Sequence, residues 1–409
     1  MEQAPILLHV FLWSAAAYWA AGFFLLWRIP KIGRLEKGEE AFADRAGNEG
    51  RTIEAYLSRL SVVIPARNEA GTLPFLLDSL RKQEKLPLEI IVVDDQSIDG
   101  TGDLARGFSD VGVRVIDSGE RPEGWTGKNW SCHRGTMEAQ GDFLLFLDAD
   151  TSLTSSDSLQ RLLQEYRRRG GLLSVQPSHR VHALYEQLSG FFNLIVMIGS
   201  GAFSQWSRPG EAAGCFGPCI LIDRDDYRSI GGHEAVRAEV VDDLALCRLC
   251  RQAGIGVYCY GGRETISFRM YPGGIGSLVE GWTKNMAVGA SLADLRTIIL
   301  LVVWFTGISN AALMMAALTK YTAHAAQTLQ GAGAVWFPWG LIVLAVYALY
   351  VLQVFIQLRR VGSFHFAAAL FFPLLFLFFV GIFIYSVVRV KVLHSVTWKG
   401  RAIEIGRGE

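Results

Sequence analysis

The sequence predicts an α/β domain, a mostly parallel sheet flanked by helices, with transmembrane helices at both ends of the chain. Three observations predict it. Short, continuous apolar runs alternate with helical stretches from Leu60 to Leu147. One of these runs, Phe143-Leu-Leu-Phe-Leu147, leads straight into two acids, Asp148 and Asp150. Apolar blocks of membrane-crossing length lie towards both termini. The 409 residues include 39 Lys and Arg against 39 Asp and Glu, a formal net charge of zero. That balance argues against a nucleic-acid partner, which favours a basic stripe.

The first apolar block, Ile6–Trp27, is about the length that spans a bilayer. It has no basic residue before it and no small-x-small cleavage site after it, so it is not a signal peptide. Arg28, Lys31, Arg34 and Lys37 follow it, which places what comes next in the cytoplasm. Near the other end, Ile298–Leu318 and Trp336–Ile356 suit an outward and a returning span, with Arg359 and Arg360 inside. Phe364–Val388 has basic residues on its far side and contains Pro373, which predicts a broken or re-entrant segment; a simple further span is the alternative. The expected organisation is an anchor at 1–28, a juxtamembrane linker at 29–59, a cytoplasmic catalytic domain at 60–297, and a membrane region with a cytoplasmic tail at 298–409. The expected location is the cell membrane, as a multi-pass protein. Leu188–Trp206 is apolar but interrupted by Gly, Asn and Ser, which fits an interfacial helix. All six cysteines fall on the cytoplasmic side, where disulfides are not expected. Cys247-Arg-Leu-Cys250 has a zinc-like spacing but lies in a helical pattern, with no second Cys/His pair at the usual spacing.

Within the catalytic domain, Leu60–Pro65 reads as the first strand, Leu73–Arg81 as a helix, Leu88–Val93 as the second strand and Val113–Asp117 as the third. The fourth, ending at Leu147, is apolar on every residue and so is buried on both faces. Ligands bind such sheets outside the C-terminal ends of the strands. Four loops converge there: Ala66–Glu69, Asp94–Thr101, the Lys128 loop and Asp148–Asp150. Asp94 and Asp95 can accept hydrogen bonds from a base or a ribose. Ser97 and Thr101 suit capping of the next helix, and Gly100 a tight turn. Lys128, in Gly124-Trp-Thr-Gly-Lys-Asn-Trp130, can meet phosphate or base oxygens; an ordinary surface lysine is the alternative. Neither a P-loop nor a dinucleotide fingerprint is present. Strand alternation puts Asp148 and Asp150 on one side, where they repel unless a cation joins them. One or two carboxylates plus phosphate oxygens is the usual Mg²⁺ arrangement; a solvated acidic turn is the alternative.

Further along, Leu159–Arg169 is an amphipathic helix, Leu172–Gln176 a strand, and Gly214–Ile222 a Gly/Pro-interrupted apolar stretch. Asp242 and Asp243 open a helix that continues through Arg251. One acid there is ordinary capping; two suggest a base, Asp243, oriented by Asp242. Arg269 and Lys284, with Tyr271 nearby, could neutralise a leaving diphosphate or meet an acceptor. Trp282 suits the same site or an interfacial anchor.

Taken together, Val63-Ile-Pro-Ala-Arg-Asn-Glu69, Asp94-Asp-Gln-Ser-Ile-Asp-Gly-Thr101, Asp148-Ala-Asp150 and Asp242-Asp243 resemble, in order and spacing, the membrane-bound inverting glycosyltransferases of family 2, with the glycosyltransferase-A fold. The resemblance covers nearly the whole chain. Gly124–Trp130, Phe268–Tyr271, Gly281–Asn285 and Val396–Arg401 make it most similar to the diaponeurosporenoate glycosyltransferases of C30 carotenoid synthesis, with ceramide-type glucosyltransferases next. It implies a UDP-sugar donor held by Pro65, Ala66, Arg67, Glu69, Asp94, Asp95, Lys128 and Asp148, and Mg²⁺ or Mn²⁺ on Asp148 and Asp150. It also implies Asp243 as base, and a hexose, glucose, passed with inversion to a membrane lipid. A C30 carotenoid acid is the first acceptor, and a ceramide or diacylglycerol hydroxyl the second. The family's Gln/Arg-x-x-Arg-Trp element survives only as Leu278-Val-Glu-Gly-Trp282, which argues against processive polymer synthesis. A transporter would carry polar residues in several spans, and an inactive scaffold would have lost one of the acid pairs; neither holds here.

Overall fold

The structure is a computed structural model describing residues 3–35, 52–208, 210–289, 294–328, 333–393, 395–398 and 401–404. Most of the expected linker, and Lys399 in the tail, lie outside the described residues.

Among the described residues, ten strands lie between Leu60 and Phe268: β1 (Leu60–Ala66), β2 (Glu89–Asp94), β3 (Val113–Asp117), β4 (Phe143–Leu147), β5 (Thr151–Leu153), β6 (Leu172–Gln176), β7 (Ser178–His179), β8 (Cys219–Asp223), β9 (Val257–Gly261) and β10 (Ile266–Phe268). Seven of them form one sheet in the order β3-β2-β1-β4-β8-β6-β9. β1 to β4 pair in parallel, as expected. β8 lies antiparallel between β4 and β6. It comes from the Gly/Pro-interrupted stretch, where the sequence shows only a short apolar run. β5, β10 and β7 form a second, three-stranded sheet.

Both faces of the main sheet are covered, which is why its strands are apolar throughout. Val62, Ile64, Leu145 and Leu147 face one core with the helices Leu73–Arg81 and Ser158–Arg169. Val63, Ile91, Leu144 and Phe146 face the other. That second core runs on without a break into Phe191, Phe192, Trp282, Trp304, Val354 and Phe372. One face of the main sheet and the C-terminal apolar helices thus share one core.

Among the described residues, three helices are long and apolar enough to cross a membrane: Leu295–Ala323, Trp339–Val361 and Phe372–Arg389. Pro373 does not split the last block. It is the second residue of the helix Phe372–Leu393, where a missing N–H is harmless. The break falls just before it, at Phe371, after the short helix Phe366–Leu370. The N-terminal block forms the helix Gln3–Leu25. Side-chain amides hold it to the helix Gly333–Val361: Gln357 Nε2 donates to the Gly22 carbonyl at 2.7 Å, and Gln353 to that of Trp19. Trp304 Nε1 donates to Gln353 Oε1 at 2.9 Å. Gly22 lets these helices approach: an added Cβ would sit 2.5 Å from Trp304 Nε1 and 2.8 Å from Gln353 Nε2. Gly22→Val should therefore destabilise the solubilised protein by roughly 1–3 kcal/mol, read as a lower unfolding temperature in detergent. An unchanged unfolding temperature would show that the contact bears no load.

The apolar stretch from Leu188 differs from an exposed interfacial helix. Its helix, Gly190–Gly199, is enclosed by protein. Phe191 packs on Trp304 and Phe376, and Phe192 stacks on Trp282 at 4.7 Å.

Candidate active site

β4 stops because its next residues close a turn. Thr151 donates to the Asp148 carbonyl from its backbone N–H at 3.1 Å and from its hydroxyl at 2.7 Å. The Asp148 N–H donates to Pro218 O at 3.1 Å, so the antiparallel β8 brings Gly217 beside the acids.

Lys128 lies in the first turn of the helix Gly127–Glu138, capped by the Thr126 hydroxyl, which accepts from Asn129 N at 3.3 Å. A cation is unfavourable at a helix N-terminus. Here two acids compensate it: Lys128 Nζ is 2.8 Å from Asp148 Oδ1 and 4.0 Å from Asp242 Oδ2. Burial opposes its charge, but Asp148 and Asp242 outweigh burial and hold its pKa well above the usual lysine value. The helix also positions the second acid pair. Asn129 Nδ2 donates to the carbonyls of Val236, Arg237 and Glu239, at 2.7, 3.3 and 3.0 Å. That staples the loop leading to Asp242.

Asp242 and Asp243 begin the helix Asp242–Gln252 but differ in surroundings. His233 Nε2 stands 3.8 Å from Asp242 Oδ2, and His233 Nδ1 shares a hydrogen bond with the Tyr227 hydroxyl at 2.8 Å. Burial works against ionising Asp242, but Lys128 and His233 prevail and hold its pKa at about 2. Asp243 goes the other way. Burial, and then the Asp242 charge, push it up to about 7, against the pull of Lys128 and of two backbone donors. Those donors are Gly217 N, at 2.8 Å from Oδ2, and Leu244 N, at 2.9 Å from Oδ1. Gly217 is the point of closest approach: a Cβ there would lie 3.2 Å from both Asp243 Oδ2 and Lys128 Nζ. Two neighbouring carboxylates with pKa values driven apart are a recognised source of acid and base roles.

The chain is 32% identical over 372 residues to the 4,4'-diaponeurosporenoate glycosyltransferase of Staphylococcus aureus strain USA300, covering 90% of this chain and 95% of that protein. It belongs to glycosyltransferase family 2. The family model, Glycosyl transferase family 2, matches residues 61–231. The same enzyme of strain N315 is 32% identical over 87% of this chain and 91% of its own length. Among solved structures, the glycosyltransferase is similar to a mannosyltransferase from Pyrobaculum calidifontis in complex with GDP-Man and Mn²⁺. That pair shares 19% identity and a TM-score of 0.46, over 82% of this chain and 96% of the other.

The other expected site residues fall into two groups around this centre. On one side the loops after β1 and β2 are zipped together. Asp95 N donates to Ala66 O at 2.8 Å, and Arg67 Nη1 to Asp95 O at 2.6 Å, with Asp95 Oδ2 3.5 Å away. Glu69 accepts from the Thr72 hydroxyl, and Pro65 pairs with Val93 one residue before the ladder ends at Ala66 and Asp94. Ser97 and Thr101 do not cap the following helix. Their hydroxyls accept from Asn68 N at 3.0 Å and Glu69 N at 2.8 Å, so they bind the neighbouring loop, while Gly100, at φ +86°, takes the cap position. Asp94 accepts from Ser97 N at 3.1 Å.

On the other side, Trp282 is neither an exposed anchor nor part of the acid cluster. It is buried, and its Nε1 donates to Ser189 Oγ at 2.9 Å. Tyr271 is buried beside it at φ +56°, a conformation unusual for tyrosine, and its hydroxyl accepts from Asn285 at 3.1 Å. Arg269 is held by the fully buried Glu186 through Nε at 3.0 Å and Nη2 at 2.8 Å, so its charge is already balanced. Its N–H reaches Asp150 O at 3.4 Å. Lys284 is half-buried on the helix Ile275–Gly289.

Sequence reasoning missed Gly217, His233, Tyr227, Asn129 and Glu186. Gly217 lies in the Gly/Pro-interrupted stretch, and His233 follows a Gly-Gly pair. Nothing in the sequence joined either to an acid.

Proposed function

We propose that this glycosyltransferase is a multi-pass membrane enzyme with a cytoplasmic catalytic domain. It transfers glucose from UDP-glucose, with inversion, to the carboxylate of an apolar, carotenoid-type acceptor. One observation carries the reading: the core beneath the acid cluster is continuous with the apolar helices, so a water-soluble donor and a bilayer acceptor can meet at one site. The name of the Staphylococcus aureus relatives supports the acceptor class.

The residues suit these roles. Asp94 and Asp95, on loops tied to Arg67, bind ribose and base. Asp148 and Asp150 fit a divalent ion, Mg²⁺ or Mn²⁺. They leave the end of one strand together, and Asp148 already draws the Lys128 ammonium to 2.8 Å. Among the described residues no cluster of three or more His, Cys, Asp or Glu could hold a metal. When bound, the ion supplies positive charge for the departing diphosphate. Lys128 adds a second cation there. Arg269, balanced by Glu186, lies on the acceptor side, while Tyr271 and Trp282 are buried in the core that continues into the apolar helices.

Asp243 favours a second reading as well. A carboxyl with pKa about 7 is poised to take the proton of a hydroxyl acceptor, as on a ceramide or diacylglycerol. A carboxylic acid is already ionised near neutral pH, and then the protonated form of Asp243 serves, orienting the acceptor without repelling it. The two readings have opposite pH profiles. With a hydroxyl acceptor, turnover should rise as pH passes upward through about 7; with an acid acceptor it should fall over the same range. Identical profiles for both acceptors would remove Asp243 from the acceptor step.

The direct test is UDP release by purified protein in detergent, offered carotenoid acid, ceramide, diacylglycerol and polyprenyl phosphate. The acid should be the best acceptor, and EDTA should abolish release until Mg²⁺ or Mn²⁺ is restored. Release that survives EDTA would sink the roles of Asp148 and Asp150.

A further inference from the structure

β5 and β10 run antiparallel, and one end of the pair, Thr151 opposite Phe268, adjoins Asp150. The other end, Leu153 opposite Ile266, points away from the acids. Beyond it lies a cleft of about 450 Å³ lined by Arg34, Thr154, Ser155, Arg161, Arg263 and Glu264.

The cleft has the chemistry of an anion site. Three guanidinium groups share it with a single carboxylate, and that carboxylate is taken: Lys31 Nζ lies 3.1 Å from Glu264. Lys31 holds Glu264 below the usual carboxylate range, with Arg34 and Arg161 adding to the pull. Arg161 is only 11% exposed and spends Nη2 on Asp157 at 2.7 Å. Its Nε is buried with no hydrogen-bond partner, and so is Thr154 Oγ1. Four cations, Lys31, Arg34, Arg161 and Arg263, thus face two carboxylates, Asp157 and Glu264. Buried donors without acceptors are costly, and guanidinium forks match the oxygens of a phosphate.

The position suggests the source. Lys31 bridges to Gly261 at the end of β9, on the segment that leaves the apolar helix Gln3–Leu25, and Arg34 follows three residues later. Basic residues close to a membrane anchor gather anionic lipid. We propose that this cleft binds a phosphate group, supplied by the headgroup of an anionic phospholipid. The phosphate chemistry stands on the cleft alone. The lipid source rests on reading the apolar helices as membrane-embedded.

The test uses full-length protein and the double variant Arg34→Gln, Arg263→Gln. Both arginines are exposed and lie outside the acid cluster. Binding is measured in nanodiscs of phosphatidylcholine with added phosphatidylglycerol, and separately in detergent with inorganic phosphate. Equal unfolding temperatures in pure phosphatidylcholine check that the variant is folded. The wild type should bind phosphatidylglycerol, the variant roughly ten- to thirtyfold more weakly, with turnover in phosphatidylcholine unchanged. Saturable binding of inorganic phosphate alone, lost in the variant, would support the phosphate site and overturn its lipid source. Equal binding of both probes by wild type and variant would overturn the proposal.

Discussion

Asp243→Asn should lower turnover of a hydroxyl acceptor by roughly 10²–10⁴-fold and leave a carboxylic-acid acceptor within about tenfold of wild type. The variant is nearly isosteric. Asparagine can keep an oxygen on Gly217 N, where Oδ2 now accepts at 2.8 Å, so the helix start is preserved. What it loses is the ability to take a proton. A hydroxyl needs that at the moment it attacks. A carboxylate does not, and asparagine presents it with a neutral donor, much as protonated Asp243 does. UDP release with the two acceptor types, compared in the same preparation, reads the difference. Equal losses for both would mean that Asp243 positions the site rather than serving the acceptor's proton.

Lys128→Gln should cost roughly 10²–10³-fold in kcat/KM, as expected when a fixed cation is removed from a site where phosphate charge develops. Lys128 contacts Asp148 at 2.8 Å and stands 4.0 Å from Asp242, so one ammonium serves the donor acids and the acceptor acids together. Its loss should also move the acceptor-side pH midpoint. Lys128 lowers the pKa of Asp243, now about 7, so the midpoint should shift upward in the variant. Lys128→Arg keeps the charge but replaces a compact ammonium with a planar fork, so it should recover only part of the loss. A Lys128→Gln enzyme with wild-type kcat/KM and an unmoved pH midpoint would rule out this role.

Much of the donor side was legible in the sequence because its signals are local. Four short apolar runs followed by polar loops identify parallel strands, whereas Asp148 and Asp150 lie past the end of β4 in a turn closed by Thr151, where strand alternation no longer applies. The same local logic misassigned Ser97 and Thr101. As hydroxyls before a helix they suit caps, but the neighbouring loop competes for them and takes them. It also placed Pro373 as a break, although Phe372–Leu393 runs on unbroken from it. Arg269 appeared free to meet phosphate because its partner, Glu186, is 83 residues away and carries no motif.

By itself the sequence determined the chemistry available: three acid pairs in order, a lysine in a glycine-containing loop, and apolar blocks towards both ends of the chain. Only the tertiary structure decided how these act on one another. β8 enters antiparallel beside β4 and delivers Gly217 to Asp243, and Asn129 staples the Lys128 helix to the loop before Asp242. Strand and turn signals come from neighbouring residues, and so can be read in order along the chain. The split between an Asp242 near 2 and an Asp243 near 7 comes from burial and from charges brought together across more than a hundred residues.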